Sequence, residues 1–259
     1  MPALALPQSR LFLRNPLPRS RFVSRMNVLL GGAIVGGWLP QANDTTTSIC
    51  PWTGKVWTAD ASMTLVQQGK GKSRAFASAS TQYMSTPDAA NLSFGNGATD
   101  VAMTLLVLAN VTDTAANRAL VAKLQTSNQE YRFYVTAADL LAISLFDESA
   151  AVQLLMVSNA AITQGAWGLF GMSYSGAPPA TNIGLYQNGT SVASTPTTDA
   201  GYVAMENLAA PAEIGAYLTH TSGLLDGSIA MIVVAQTNLL ADGHAQAAAL
   251  CRQFFRVAL

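Results

Sequence analysis

Residues 167–192 read WGLFGMSYSGAPPATNIGLYQNGTSV. The first eight residues alternate like a strand. The last eight place Asn188-Gly189 between Leu185-Tyr186 and Val192, and an Asn-Gly pair there is the strongest short-range sign of a two-residue β-turn, since both central residues must accept positive φ. The stretch therefore predicts two antiparallel strands and an all-β protein.

Working outward, short apolar runs recur with turn residues between them. Strands are expected over 73–77, 101–109, 120–125, 131–136, 140–146, 152–157, 165–174, 183–187 and 228–235. Breakers fall at Asn96-Gly97, Asp113, Asn128, Asp147, Ser175-Gly176 and Pro178-Pro179. Strands at this spacing imply an antiparallel β-sandwich or jelly roll. Residues 101–108 and 229–234 are apolar at nearly every position, as strands covered on both faces would be. The end of the chain differs: Leu250, Phe254 and Val257 recur at helical spacing within 238–255, which predicts a short C-terminal helix.

The order of features resembles the laminin-G-like, concanavalin A-like jelly-roll superfamily. Trp38 with Pro51-Trp52-Thr53-Gly54 is similar to the family's opening strand and turn, and Arg74-Ala75-Phe76 with Gln82-Tyr83-Met84 to its next pair. Residues 101–107, 119–123 and 167–174, the hairpin Leu185-Tyr186-Gln187-Asn188-Gly189, Ile214-Gly215 and residues 223–229 follow in the family's order, with Leu239-Leu240-Ala241-Asp242 at the closing helix. The resemblance covers most of 38–256 and implies a concanavalin A-like sandwich.

The chain has 259 residues, formal net charge zero, 11% charged and 50% hydrophobic residues. That is enough for one large sandwich, and so little positive charge gives no reason to expect a nucleic-acid partner. Residues 1–37 form a segment of different composition. Arg10, Arg14, Arg19, Arg21 and Arg25 all precede the first acidic residue, Asp44, and alternate with prolines, which predicts a basic, extended N-terminal arm, held by a neighbouring subunit or packed back on its own domain, ahead of a jelly-roll domain over 38–259. The apolar run after it is too short to span a membrane. Cys50 and Cys251 match no metal spacing and are expected to behave as small buried hydrophobes.

Catalytic chemistry is thinly represented. Relatives in the superfamily include glycoside hydrolases, which need two carboxylates flanking a sugar. The glutamates here, Glu130, Glu148, Glu206 and Glu213, form no such motif, and Asp147-Glu148 read as solvated turn charges. His220 and His244 read as solvated side chains without a triad. No catalytic residue, resident metal or other cofactor is expected. Sandwiches of this resemblance do hold Ca²⁺ at a rim, so Asp113, Asp147, Asn188 and Asp226 are the oxygen donors to examine, against the simpler reading that they tighten turns. Sugar binding rests on aromatic platforms, for which Trp52, Trp57, Tyr83, Tyr186 and Tyr217 are the candidates.

The layout suggests a non-enzymatic structural or adhesion component of a larger assembly. A virion surface protein, such as a bacteriophage capsid decoration, fibre or tail-associated protein, would use the arm to join a homo-oligomer or other virion proteins and would display the sandwich. The alternative is a glycan-binding module of a secreted protein, with a host or surface glycan as partner. A degenerate glycoside hydrolase is the third reading.

Overall fold

A computed structural model describes residues 18–42, 44, 46–59, 63–113 and 115–259. In chain order its elements are α1 (Arg19–Leu29), β1 (Ile34–Trp38), β2 (Thr47–Ile49), β3 (Val56–Ala59), β4 (Leu65–Gln68), β5 (Gly71–Phe76), β6 (Met84–Thr86), β7 (Met103–Asp113), β8 (Arg118–Gln125) and β9 (Asn128–Val135). There follow β10 (Leu140–Asp147), β11 (Val152–Ala161), β12 (Trp167–Tyr174), β13 (Ile183–Gln187), β14 (Thr190–Ser191), β15 (Ser194–Thr198), β16 (Ala212–Ile214), β17 (Asp226–Ala235) and α2 (Ala241–Phe255).

The strands pair antiparallel in two sheets. An eight-stranded sheet runs β14-β13-β12-β7-β17-β5-β4, with β1 also on β17, and a nine-stranded sheet runs β15-β11-β10-β9-β8-β16-β6-β3-β2. Asn188 (φ 56°) and Gly189 (φ 85°) form the two-residue turn between β13 and β14, as the opening stretch requires. A side chain at Gly189 would also meet the backbone of Ala245, because α2 lies directly on this hairpin.

The core between the sheets is built by alternation. Leu105, Val107 and Ile232 of the eight-stranded sheet face Tyr131, Phe133 and Ile143 of the nine-stranded one in one buried cluster. Leu106, Leu108, Met231 and Val233 point the other way, into a second cluster with Phe22 and Met26 of α1 and Ala247, Cys251 and Phe254 of α2. The two helices thus cover the outer face of this sheet, which is why 105–109 of β7 and 229–235 of β17 are apolar throughout.

Residues 19–38 correct the extended-arm expectation. Phe22 and Met26, one helical turn apart, give α1 a buried stripe; the Phe22 ring stacks on Phe254 at 4.6 Å. The helix stops at Gly31 and Gly32, both at positive φ, and β1 then joins β17. Arg19 is a clamp within the fold, donating to the carbonyls of Pro40 (2.9 Å) and Leu39 (3.0 Å). Arg21 and Arg25 are exposed on α1, while Arg10 and Arg14 lie outside the described residues.

Both cysteines are buried free thiols, and burial pushes the Cys251 thiol up. His244 is not the solvated side chain expected from sequence. It is 1% exposed, lies 2.7 Å from Ser173 Oγ through Nε2 and stacks on Tyr186 at 3.6 Å. Burial lowers its pKa from 6.5 to about 4. A proton is therefore bound more tightly by the unfolded chain, so this contribution to stability is present above the unfolded pKa and fades as pH falls toward the folded one. Between about pH 7 and about pH 5 the loss amounts to about 2 kcal/mol. Urea unfolding of wild type and His244→Gln across that interval is expected to show a shallower pH slope in the variant, whatever its absolute stability.

Residues 202–211 form no helix or strand, yet Tyr202, Ala204, Met205 and Ala210 are buried. A buried strap needs partners for its backbone, and acidic side chains supply them. Asp147 accepts from Val203 N (2.9 Å), Asp100 from Met205 N (2.8 Å) and Glu130 from Leu208 N (2.8 Å). Glu206 of the strap reciprocates, accepting from the amides of Glu148 (2.8 Å) and Ser149 (2.9 Å).

Candidate functional site on the outer face of the nine-stranded sheet

With one outer sheet face under helices, the other carries the candidate site. Its central row is fixed by register: Thr58, Ser85, Glu213, Ala122, Arg132, Ser144, Leu155 and Thr197 are successive cross-strand partners from β3 to β15. Their neighbours along each strand, such as Tyr131, Phe133, Ile143 and Leu145, belong to the core, so this row faces outward.

Arg132 is the centre of the row. Its guanidinium carbon lies 4.2 Å from the ring centroid of Tyr134, two residues along the same strand, 5.1 Å from that of Tyr217 and 6.0 Å from that of Phe146. Among the described residues no carboxylate pairs with it, and its Nε is buried without a hydrogen-bond partner. Two further buried atoms on this face are also unpartnered: Ser144 Oγ, on the residue opposite Arg132, and Gln153 Oε1, on the residue opposite Phe146. Each such orphan costs about 1–3 kcal/mol relative to a satisfied group, and native folds keep few of them.

Phe146 and Gln153 also line a cleft of about 210 Å³ together with Gln129, Asp147, Glu148, Ala151, Val152 and Asp199. Asp147 holds one wall in place. Burial raises its pKa, but the amides of Val203, Ala150 and Ala204 and the Ser149 hydroxyl outweigh this and leave the carboxyl below the usual range. It is 4% exposed and is no solvated turn charge. Beyond Ala122 the row continues to Glu213, whose Oε1 lies 3.1 Å from His220 Nδ1, with the His220 ring stacked on Tyr83 at 3.8 Å. Burial raises the Glu213 pKa. His220 is thus docked against the sheet instead of standing free in its turn.

The five aromatics expected to form a platform do not come together. Trp57 is fully buried in the core and donates to Gly37 O (2.8 Å). Trp52 donates to Val23 O (3.0 Å) and secures α1, and Tyr186 lies against His244 of α2. Only Tyr83 and Tyr217 belong to the outer face of the nine-stranded sheet, and Tyr217 is buried as a wall of the Arg132 cage. Residue type and motif do not single out Arg132, Ser144, Phe146 and Gln153. Their signal was present in the alternation of 129–135 and 140–147, where they occupy the positions opposite in phase to the core residues.

The proposed calcium donors do not fit a cation as a set. Asp113 and Asp226 flank the Arg118 guanidinium at 2.7 and 3.2 Å, Asn188 Oδ1 accepts from Leu169 N (2.9 Å), and Asp147 serves the strap. Among the described residues no three His, Cys, Asp or Glu side chains are grouped to hold a metal. No helix among them is long and apolar enough to cross a membrane.

Comparison with known proteins agrees with this architecture. The binding domain of Paraclostridial Mosquitocidal Protein 1 superposes with TM-score 0.64 at 10% identity, over 85% of this chain and 52% of that one. The ligand binding domain of botulinum neurotoxin serotype D, solved with N-acetylneuraminic acid, gives 0.60 at 8% identity over 86% and 52%. Domain 4 of AbnA, an extracellular arabinanase from Geobacillus stearothermophilus solved with arabinotriose, gives 0.58 at 11% identity over 83% and 98%. The chain spans about half the length of the two toxin domains. No curated protein matches it in sequence. A family model described as the concanavalin A-like lectin/glucanases superfamily matches residues 78–242, more than half of the chain. The chain belongs to the concanavalin A-like lectin/glucanase superfamily.

Proposed function

We propose that the protein is a non-catalytic, extracellular glycan-binding module, and that its sugar site is the outer face of the nine-stranded sheet around Arg132, Ser144, Phe146 and Gln153. The observation that carries the reading is the grouping of three unpartnered buried polar atoms beside an aromatic cage on the sheet face that neither α1 nor α2 covers. A polyol supplies both the hydroxyls such atoms lack and the C–H faces that aromatic rings accept. Two of the similar folds named above were solved with sugars bound, which supports the same class of ligand. The acids that a hydrolase would need are committed elsewhere, Asp100, Asp147 and Glu130 to the strap and Glu213 to His220.

The test is an oligosaccharide array followed by titration calorimetry. Phe146→Ala is expected to weaken the best ligand about tenfold, since an aromatic contact of about 1.4 kcal/mol corresponds to that factor. Val28→Ala, on the exposed side of α1, is expected to bind as wild type. Equal binding by Phe146→Ala and wild type would remove the site from this face.

A second reading, an adhesion component of a larger assembly such as a virion, is compatible with the first. It is favoured by a groove of about 380 Å³ between the helices, lined by Val28, Leu29, Ala249 and Leu250, beside the exposed Arg21 and Arg25. Such a component would display the same sugar-binding face.

A further inference from the structure

We infer that the ligand of this face carries an oxyanion, and that Arg132 is the residue that recognises it. The inference rests on the glycan-binding reading and adds the class of sugar: one bearing a carboxylate or a sulfate ester.

Arg132 lacks a counter-charge among the described residues. In a chain with 14 acidic residues against 14 basic ones, guanidinium groups inside the fold find acidic or carbonyl partners. Arg118 takes Asp113, Asp226 and Leu224 O, and Arg19 takes two carbonyls. Arg132 takes none among the described residues, although Glu213 lies only two strands away in the same row. Glu213 is turned to His220 instead, and Ala122 stands between them. A cation left without a counter-charge in a partly buried position is costly unless something else stabilises it. Here the rings of Tyr134, Tyr217 and Phe146 do so through their π faces.

That arrangement fixes the cation in place and leaves its in-plane N–H groups unspent. A guanidinium presents those donors as a flat fork, which matches two oxygens of one carboxylate or sulfate. Buried Ser144 Oγ, directly across the ladder and unpartnered, is a hydroxyl donor for the same group. Neutral sugars would satisfy Gln153 and stack on Phe146 but would leave the charge of Arg132 unanswered.

The experiment uses the full chain on an array holding neutral, carboxylated and sulfated forms of each oligosaccharide backbone, with calorimetry of the best matched set. Wild type is expected to favour an acidic form over its neutral counterpart by about tenfold or more, equivalent to about 1.4 kcal/mol. The acidic form's affinity should also fall as salt is raised. Arg132→Gln is expected to remove the preference for the acidic form and its salt dependence, whatever the variant's affinity for the neutral form, and Arg132→Lys to retain part of both. Whether carboxylate or sulfate is preferred identifies the source of the oxyanion. Equal binding of neutral and acidic forms by wild type, with no salt dependence, overturns the inference and leaves the glycan reading intact. Binding of no sugar at all overturns both. The salt titration is read on wild type, so the outcome stands even if a variant fails to fold.

Discussion

Asp100→Ala is expected to destabilise the protein by about 3–5 kcal/mol, close to the limit for a single substitution. Asp100 is 8% exposed and accepts three hydrogen bonds: from Tyr174 Oη (2.8 Å), Tyr202 Oη (2.9 Å) and Met205 N (2.8 Å). Alanine would leave two hydroxyls and one amide without a partner, each costing about 1–3 kcal/mol. Burial raises the Asp100 pKa in spite of these donors, and they oppose the rise. Asp100→Asn separates shape from charge. Its amide keeps one acceptor oxygen for Met205 N and turns a donor toward hydroxyls that can rotate to accept, so a smaller loss of about 1–2 kcal/mol is expected. Urea midpoints at unchanged m-value measure both. A loss below about 1 kcal/mol for Asp100→Ala would mean that the strap is not anchored there.

The second large effect concerns Lys123. Its ammonium is fully buried beside the equally buried Glu130, which it contacts directly, and it also reaches Asp88 Oδ1 at 2.9 Å and Leu208 O. Lys123→Met strands the Glu130 charge and is expected to cost about 3–5 kcal/mol at neutral pH. Burial already raises the Glu130 pKa, with Lys123 opposing; without Lys123 the carboxyl takes up a proton at still higher pH. The folded state then binds a proton that the unfolded chain does not, so the deficit should shrink as pH is lowered from about 7 toward about 5. The double variant Lys123→Met/Glu130→Gln should recover part of the loss, since the amide carries no stranded charge and keeps an acceptor oxygen for Leu208 N. Chemical unfolding of the two variants over that pH range checks the sign and the recovery together. A deficit that grew on acidification would contradict the assignment of the cost to Glu130.

The long strands are legible because the code behind them is local, whereas β2, β3, β4, β6 and β15 are too short to show an alternation of their own. Asn188-Gly189 specifies its turn by φ alone, and the doubly apolar runs of β7 and β17 announced that both faces of their sheet were covered. What covered the outer face was legible only for α2. The Phe22–Met26 stripe of α1 is two residues wide and sits in an arginine-rich context, so charge composition overrode its periodicity and an extended arm was expected. The site was less legible for a different reason. Residue type alone marks an aromatic as a platform candidate, yet Trp57, Trp52 and Tyr186 are used for packing, and that depends on which face of which sheet each residue reaches. Arg132 and Phe146 are ordinary outward positions until the register aligns Arg132 with Ser144 and Phe146 with Gln153. His244 and Asp147 look solvated in sequence because neither the helix lying on Tyr186 nor the strap over the sheet end can be inferred from their neighbours in the chain.

The central claim is that sugar is held on the outer face of the nine-stranded sheet, and amide hydrogen exchange with and without the best oligosaccharide of the array tests it most directly. The account predicts slowed exchange concentrated in β9, β10 and β11 and in the turn that carries Tyr217 and His220, with α1 and α2 unchanged. Protection confined to the helices, or to the β2–β3 end of the sheet, would contradict it.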